Sequence, residues 1–253
     1  MIFEAYSQYY DLLYKDKDYV GESSYIHSLI EEYNSGTKKI LEFGSGTGIH
    51  GNILGSLGYR VYGIEKSQSM IDLGESTNSF SRKSKNFSCF LGDCQSTYLG
   101  NDFDTAISLF HVLSYQTKDE EVMAFLKNVQ KQLRTRGIFI FDYWYAPAVW
   151  EIGPTLRIKK VANTDLSITR IAEPECFEEK NIVNVHYQNF IENLSTKSIS
   201  KIEEIHKMRA FNNEEIIQFS TRAGFSLLHT EEWMTSLTPG NNTWGVCSIL
   251  QKN

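Results

Sequence analysis

The stretch KKILEFGSGTGIHG, residues 38–51, constrains this chain more than any other. A short apolar run reaches an acidic residue, Glu42, and glycines follow at Gly44, Gly46, Gly48 and Gly51. Glycine permits a tight turn and lets a ligand touch the backbone. The next segment, GIHGNILGSLG, reads as a helix ending near Gly58, and its first turn offers free N–H groups and a positive end. Strand, glycines and helix make a nucleotide-binding arrangement. Residues 46–51 also match the dinucleotide pattern GxGxxG, which is a weak signal by itself. Glu42 points away from a dinucleotide, because a carboxylate ahead of the first glycine repels a pyrophosphate and suits a ligand with an ammonium group.

The surrounding pattern extends this unit. YRVYGIEKS reads as a second strand and SQSMIDLGEST as a helix with a serine N-cap. NFSCFLGDC reads as a third strand and FDTAISLFHVLSY as a fourth. DEEVMAFLKNVQKQLRTRG reads as an amphipathic helix stopped by Gly137. IFIFDYWY, nearly all apolar, reads as a fifth strand covered on both faces. The rhythm over 38–145 predicts an α/β fold, a doubly wound parallel sheet. Residues 1–35 read as a helical cap. Residues 155–211 alternate in the manner of antiparallel strands and predict a small β lid inserted after strand five. NNEEIIQFSTRAGF reads as a helix with an Asn cap and a glycine stop, and SLLHTEEW and WGVCSILQK as closing strands. One domain over 1–253 is the expectation.

Bulk properties narrow the function. The chain is 41% hydrophobic and 22% charged, near the globular average. A net charge of −6 weighs against nucleic-acid binding, which runs on clustered Lys and Arg. The N-terminus has acidic residues and no apolar core of a signal peptide, and no apolar stretch reaches the roughly 18 residues of a membrane span. The four cysteines fit no zinc template. The expectation is a cytoplasmic protein with reduced thiols, no metal and no membrane partner.

LEFGSGTG resembles motif I of the class I S-adenosylmethionine-dependent methyltransferases. The resemblance implies a seven-stranded Rossmann-like sheet and S-adenosylmethionine as donor, leaving S-adenosylhomocysteine. Glu65, about twenty residues on, fits the carboxylate that takes both ribose hydroxyls. Asp93 in GDC fits the residue that accepts from the adenine amino group. Glu42, Gly44, Gly46 and Gly48 would surround the donor, with Tyr10 and Tyr19 closing over its methionine end. Lys66, Met70, Gly92, Cys94, Leu109 and Phe110 complete the implied donor site.

Within that class the chain resembles the nucleotide-sugar N,N-dimethyltransferases of the desosamine and mycaminose type. YYDLLYKDKDY, SLFHVLSYQT, FDYWYAP, VHY, EEIHKMRAF and RAGF carry the resemblance. It implies a nucleotide-linked amino sugar as acceptor and makes a homodimer plausible. The branch has a histidine near the acceptor amine where this chain has Tyr115, with His111 one turn earlier. A tyrosine of ordinary pKa, about 10, is a poor base at neutral pH, whereas a histidine titrates in the right range. Either His111 or Tyr115 is the catalytic candidate. Tyr14, Trp144, Tyr145 and Tyr187 are candidate acceptor contacts, and Arg209 is the candidate fork for a diphosphate. O-methylation of a sugar or other metabolite, and a non-catalytic donor-binding module, are the alternatives.

Overall fold

The computed structural model describes residues 7–76 and 84–253. Residues 1–6 of the expected helical cap, and Thr77 at the end of SQSMIDLGEST, lie outside that description. The described cap is two helices, α1 (Ser7–Leu13) and α2 (Tyr19–Asn34). Asp18 starts the second one, its carboxylate accepting the Gly21 N–H at 2.8 Å.

The alternating unit follows as β1 (Lys39–Phe43), α3 (Ile49–Ser56), β2 (Arg60–Glu65), α4 (Gln68–Ser76), β3 (Phe87–Leu91), β4 (Phe103–Ser108), α5 (Asp119–Gln132) and β5 (Leu133–Tyr145). The strands lie in the order β3-β2-β1-β4-β5, all parallel. Side chains of β5 alternate between two cores. Ile138 and Ile140 pack on one face with Ile26, Ile30 and Leu54. Phe139, Phe141 and Tyr143 pack on the other with Val122, Phe125 and Val129 of α5. The period of two sends neighbours to opposite faces, so a strand buried on both sides is apolar throughout.

Two expectations are corrected here. The fourth strand stops at Ser108. Phe110 and His111 then take φ of 68° and 63°, and Val112–Tyr115 forms a short 3-10 turn. Gly137 does not stop a helix, since α5 ends at Gln132 and Gly137 lies within β5. Between the pairs Phe103–Leu133 and Thr105–Ile138 the register slips, so the extra residues of β5 bulge out. A Cβ on Gly137 would stand 2.9 Å from the Arg134 carbonyl and 3.0 Å from that of Asp104, so only glycine fits the bulge.

After β5 comes a short helix that sequence reading missed, α6 (Ala146–Ile152). The antiparallel layer then runs β6 (Arg157–Ala162), β7 (Leu166–Phe177), β8 (Ile182–Asn193) and β9 (Ile199–Phe211), each paired with the next. β9 returns to the main sheet, where Ala210 and Phe211 pair in parallel with Trp144 and Tyr145. It takes the edge of β5 that β4 has left by ending at Ser108. Leu13 of α1 is fully buried against Val161, Ile168 and Ile191, so the cap helix and the lid sheet share one core.

α7 (Asn213–Arg222) begins with a reciprocal cap. Asn212 Oδ1 accepts the Glu215 N–H at 2.8 Å, and Glu215 accepts that of Asn212 at 3.1 Å. β10 (Phe225–Glu232) and β11 (Gly245–Lys252) close the sheet, β11 antiparallel to β5. The strand order β3-β2-β1-β4-β5-β11-β10 makes the expected seven-stranded sheet. Among the described residues no helix is long and apolar enough to cross a membrane.

Candidate active site

The strand order reverses between β1 and β4, and ligands of open α/β sheets bind in the crevice at such a point. A cavity of about 1130 Å³ opens there. Its floor is the turn after β1, where Gly44 and Gly46 take φ of 70° and 58°. A Cβ on Gly44 would stand 2.6 Å from a Val112 methyl, so the two loops meet only because that side chain is missing.

Glu65, at the end of β2, is 8% exposed. Its oxygens accept the N–H groups of Gly46 at 2.8 Å and Ser67 at 2.9 Å. Burial raises the Glu65 pKa, and the backbone N–H groups of Ser67 and Gly46 oppose that rise. A carboxylate has about four lone-pair sites, more than these donors fill, so it can still accept from a ribose hydroxyl. At the end of β3, burial works against the Asp93 charge, yet the Lys66 ammonium at 2.7 Å and the Gln95 N–H hold its carboxyl below the usual range. Gly92, Cys94 and Met70 share this end of the wall.

The cap and the turn after β4 form the middle. Tyr10, Tyr14 and Tyr19 line the cavity together with Leu109, Phe110 and His111, and the Tyr14 ring meets that of Phe110 edge-on at 5.2 Å. His111 Nδ1 lies 2.7 Å from Asp142 Oδ2, and the His111 N–H donates to Asp142 Oδ1 at 3.0 Å. The far end is the lid, with Tyr115, Trp144, Tyr187, His206 and Arg157 on the wall. Arg170 donates to the Tyr14 hydroxyl at 2.9 Å and stacks 5.1 Å from the Tyr187 ring centre, adding charge there.

Four expected site residues stand off this wall. Glu42 is 2% exposed beneath the turn, where one of its oxygens has no hydrogen-bond partner. Burial first, and Glu65 second, push its carboxyl up to about 8. Gly48 faces Phe87, whose ring a Cβ would meet at 2.4 Å. Tyr145 belongs to the core with Phe211 and Ala148, because Trp144 takes the cavity face of β5 and alternation turns its neighbour away. Arg209 is occupied elsewhere, its guanidinium donating to Asp119 at 2.7 Å and Glu215 at 2.9 Å.

Other wall residues stood outside the expected site. His50 is 8% exposed and meets Glu22 at 2.7 Å. Arg157, in the basic run RIKK, lines the cavity, which Arg209 does not. His206 points inward, whereas its near neighbour His186 lies on the other face of the lid beside Glu175. The acidic residue of FDYWYAP, Asp142, was quoted in the sequence without a role.

The donor set suits S-adenosylmethionine. Carboxylates stand at the two places where a diol and an adenine amine would sit, and the glycine turn itself carries no cation to receive a pyrophosphate. Residues 40–137 match the family model described as a methyltransferase domain. The chain is 22% identical to the dTDP-3-amino-3,4,6-trideoxy-α-D-glucopyranose N,N-dimethyltransferase of Streptomyces venezuelae, over 88% of this chain and 90% of that one. An S-adenosylmethionine-dependent methyltransferase from Clostridium acetobutylicum superposes with a TM-score of 0.81, at 17% identity and over the whole of both chains. An amino pentose methyltransferase of Micromonospora echinaspora, solved with S-adenosylmethionine bound, gives a TM-score of 0.76 at 17% identity, over 100% of this chain and 98% of that one. Residues 40–137 are thus a methyltransferase domain, and the chain is an S-adenosylmethionine-dependent methyltransferase resembling the nucleotide-sugar N,N-dimethyltransferases.

Proposed function

We propose that the protein methylates the amino group of a nucleotide-linked sugar. One observation carries this reading. A single cavity runs from the donor carboxylates Glu65 and Asp93 to a lid end that combines aromatic rings, Trp144 and Tyr187, with a cation, Arg157. Rings offer faces for a sugar or base, and the guanidinium offers a fork for phosphate oxygens.

S-adenosylmethionine supplies an electrophilic methyl group that already carries its leaving group. The protein therefore has to align the acceptor, exclude water and take up a proton. Glu65 and Asp93 hold the nucleoside end, and Tyr10, Tyr19 and the lid close over the rest. Arg157 takes the place expected of Arg209 as the phosphate partner. His111 and Tyr115 are both on the wall for the proton.

The test is a calorimetric titration with S-adenosylmethionine, repeated with thymidine- and uridine-diphosphate sugars present. Tightening by an amino-sugar nucleotide, followed by methylated amine in the product, supports the reading. Donor binding with no response to any nucleotide sugar overturns the acceptor class. A second reading, methylation of a hydroxyl, is favoured by the His111–Asp142 pair, because a histidine oriented by a buried carboxylate can deprotonate an alcohol. An O-methyl product from a sugar lacking the amino group would select it.

A further inference from the structure

A second histidine–carboxylate pair meets the same cavity from the lid. Tyr115 ends the 3-10 turn after β4, and its Oη lies 2.8 Å from His206 Nδ1 on β9. The other ring nitrogen, His206 Nε2, lies 3.0 Å from Glu204 Oε2, two residues along the same face of β9. Tyr115 and His206 both line the cavity, and His206 is only 3% exposed. The Tyr187 ring packs edge-on against the imidazole, with centres 4.7 Å apart.

The partners set the protons. An ionised carboxylate only accepts, so Nε2 of His206 carries a hydrogen toward Glu204 and Nδ1 is bare. The Tyr115 hydroxyl then donates to Nδ1. A phenol oxygen that donates can also accept, and Tyr115 lines the cavity, so an N–H on that side can reach it.

Resting on the amine-acceptor reading above, we propose that Tyr115, His206 and Glu204 form a relay that carries the proton away from the acceptor nitrogen. As nitrogen bonds to the methyl carbon, its surplus proton passes to Tyr115 Oη. The phenolic proton moves at the same time to His206 Nδ1, and Glu204 balances the imidazolium. Tyr115 never becomes a phenolate. That fits its surroundings, since burial, with Tyr187 and Tyr14 adding, raises the phenol well above its ordinary value. His206 is faced by Tyr115 from the turn, Glu204 from its own strand and Tyr187 from β8. Tyr14, just after α1, and Arg170 of β7 stand behind Tyr187. Tyr115 and His206 are the catalytic pair, and Glu204 is a positioning residue. His111 differs in that its Asp142 also holds its backbone, which makes that carboxylate part of the turn.

Two measurements test the relay. The first needs no acceptor. Nitrogen-15 spectra of histidine-labelled protein, assigned with His206→Asn, should show Nε2 of His206 protonated and Nδ1 bare, with the Nδ1 signal moving in Tyr115→Phe. The opposite tautomer overturns the proposal.

The second is turnover with S-adenosylmethionine and the dTDP-linked 3-amino sugar named for the Streptomyces relative. His206→Asn should lower kcat by about 100-fold near neutral pH while KM stays within about threefold. The loss should persist as pH rises, because the proton is released by the methylation itself. Tyr115→Phe should cost as much, and the double variant no more, since the two act as a unit. Glu204→Gln should lower kcat without moving KM. Donor titration checks that each variant folds, and His206→Gln replaces any that does not. Losses that multiply, or a His206→Asn that leaves kcat within about threefold at every pH, overturn the relay. Wild-type protein that binds donor yet methylates no amine overturns the acceptor reading and the relay with it. Failure of the relay alone leaves wild-type turnover intact.

Discussion

Asp142 holds the backbone of His111, accepting its N–H at 3.0 Å, while its other oxygen stands 2.7 Å from a ring nitrogen that lacks a hydrogen bond. The backbone of His111 is left-handed, and so is that of Phe110 before it. Such conformations persist only where neighbours hold them, and here the holder is a buried carboxylate on β5. Asp142→Ala should cost about 1.5–3 kcal/mol in urea unfolding, the worth of a hydrogen bond to a charged group. Asp142→Asn should cost less, because its amide oxygen still accepts the backbone N–H. With the proton leaving through Tyr115, the kcat of Asp142→Asn should fall by less than about tenfold. A much larger fall would give the proton to His111.

Glu65 joins the glycine turn to β2 before any donor arrives. Glu65→Gln keeps the shape and removes the charge that receives a diol. The Kd for S-adenosylmethionine should rise by about 10- to 100-fold, the loss of one strong charge-assisted interaction. Calorimetry reads this directly. An unchanged Kd would remove Glu65 from the donor site.

Glu42 makes stability depend on pH in an unusual direction. Its carboxyl is pushed up to about 8 from an ordinary value of 4.5. Between those values the folded chain keeps a proton that the unfolded chain has released. Stability therefore falls as pH rises through this window. Glu42→Gln removes the dependence. Urea midpoints at pH 5 and pH 8, without donor, should show wild type losing on the order of a few kcal/mol relative to the variant. Parallel slopes would mean that Glu42 ionises freely in the fold.

Arg209 and Arg157 should separate stability from substrate binding. Arg209 is 8% exposed between Asp119 and Glu215, so Arg209→Met removes a buried guanidinium together with both of its carboxylate contacts. It should lower Tm and leave the acceptor KM alone. Arg157→Met should do the reverse, raising the KM for a nucleotide-linked acceptor by about tenfold with Tm unchanged. A KM effect confined to Arg209→Met would restore the original expectation.

The sequence alone determined whatever rests on local periodicity and turn chemistry. The βα rhythm, the glycine stops at Gly58 and Gly224, the Asn212 cap and the carboxylates Glu65 and Asp93 at strand ends were all legible. Each depends on residues a few places apart. The tertiary structure decided what depends on pairing across the sheet. Tyr115 and His206 are separated by 91 residues, and Arg209 and Asp119 by 90. No local pattern says that a lid strand will set His206 against Tyr115 and turn Arg209 toward α5. The end of the fourth strand and the bulge at Gly137 were hidden for the same reason. Strand ends and bulges are fixed by register with a neighbour, here β4 against β5, and register is a property of two segments that the chain brings together only on folding.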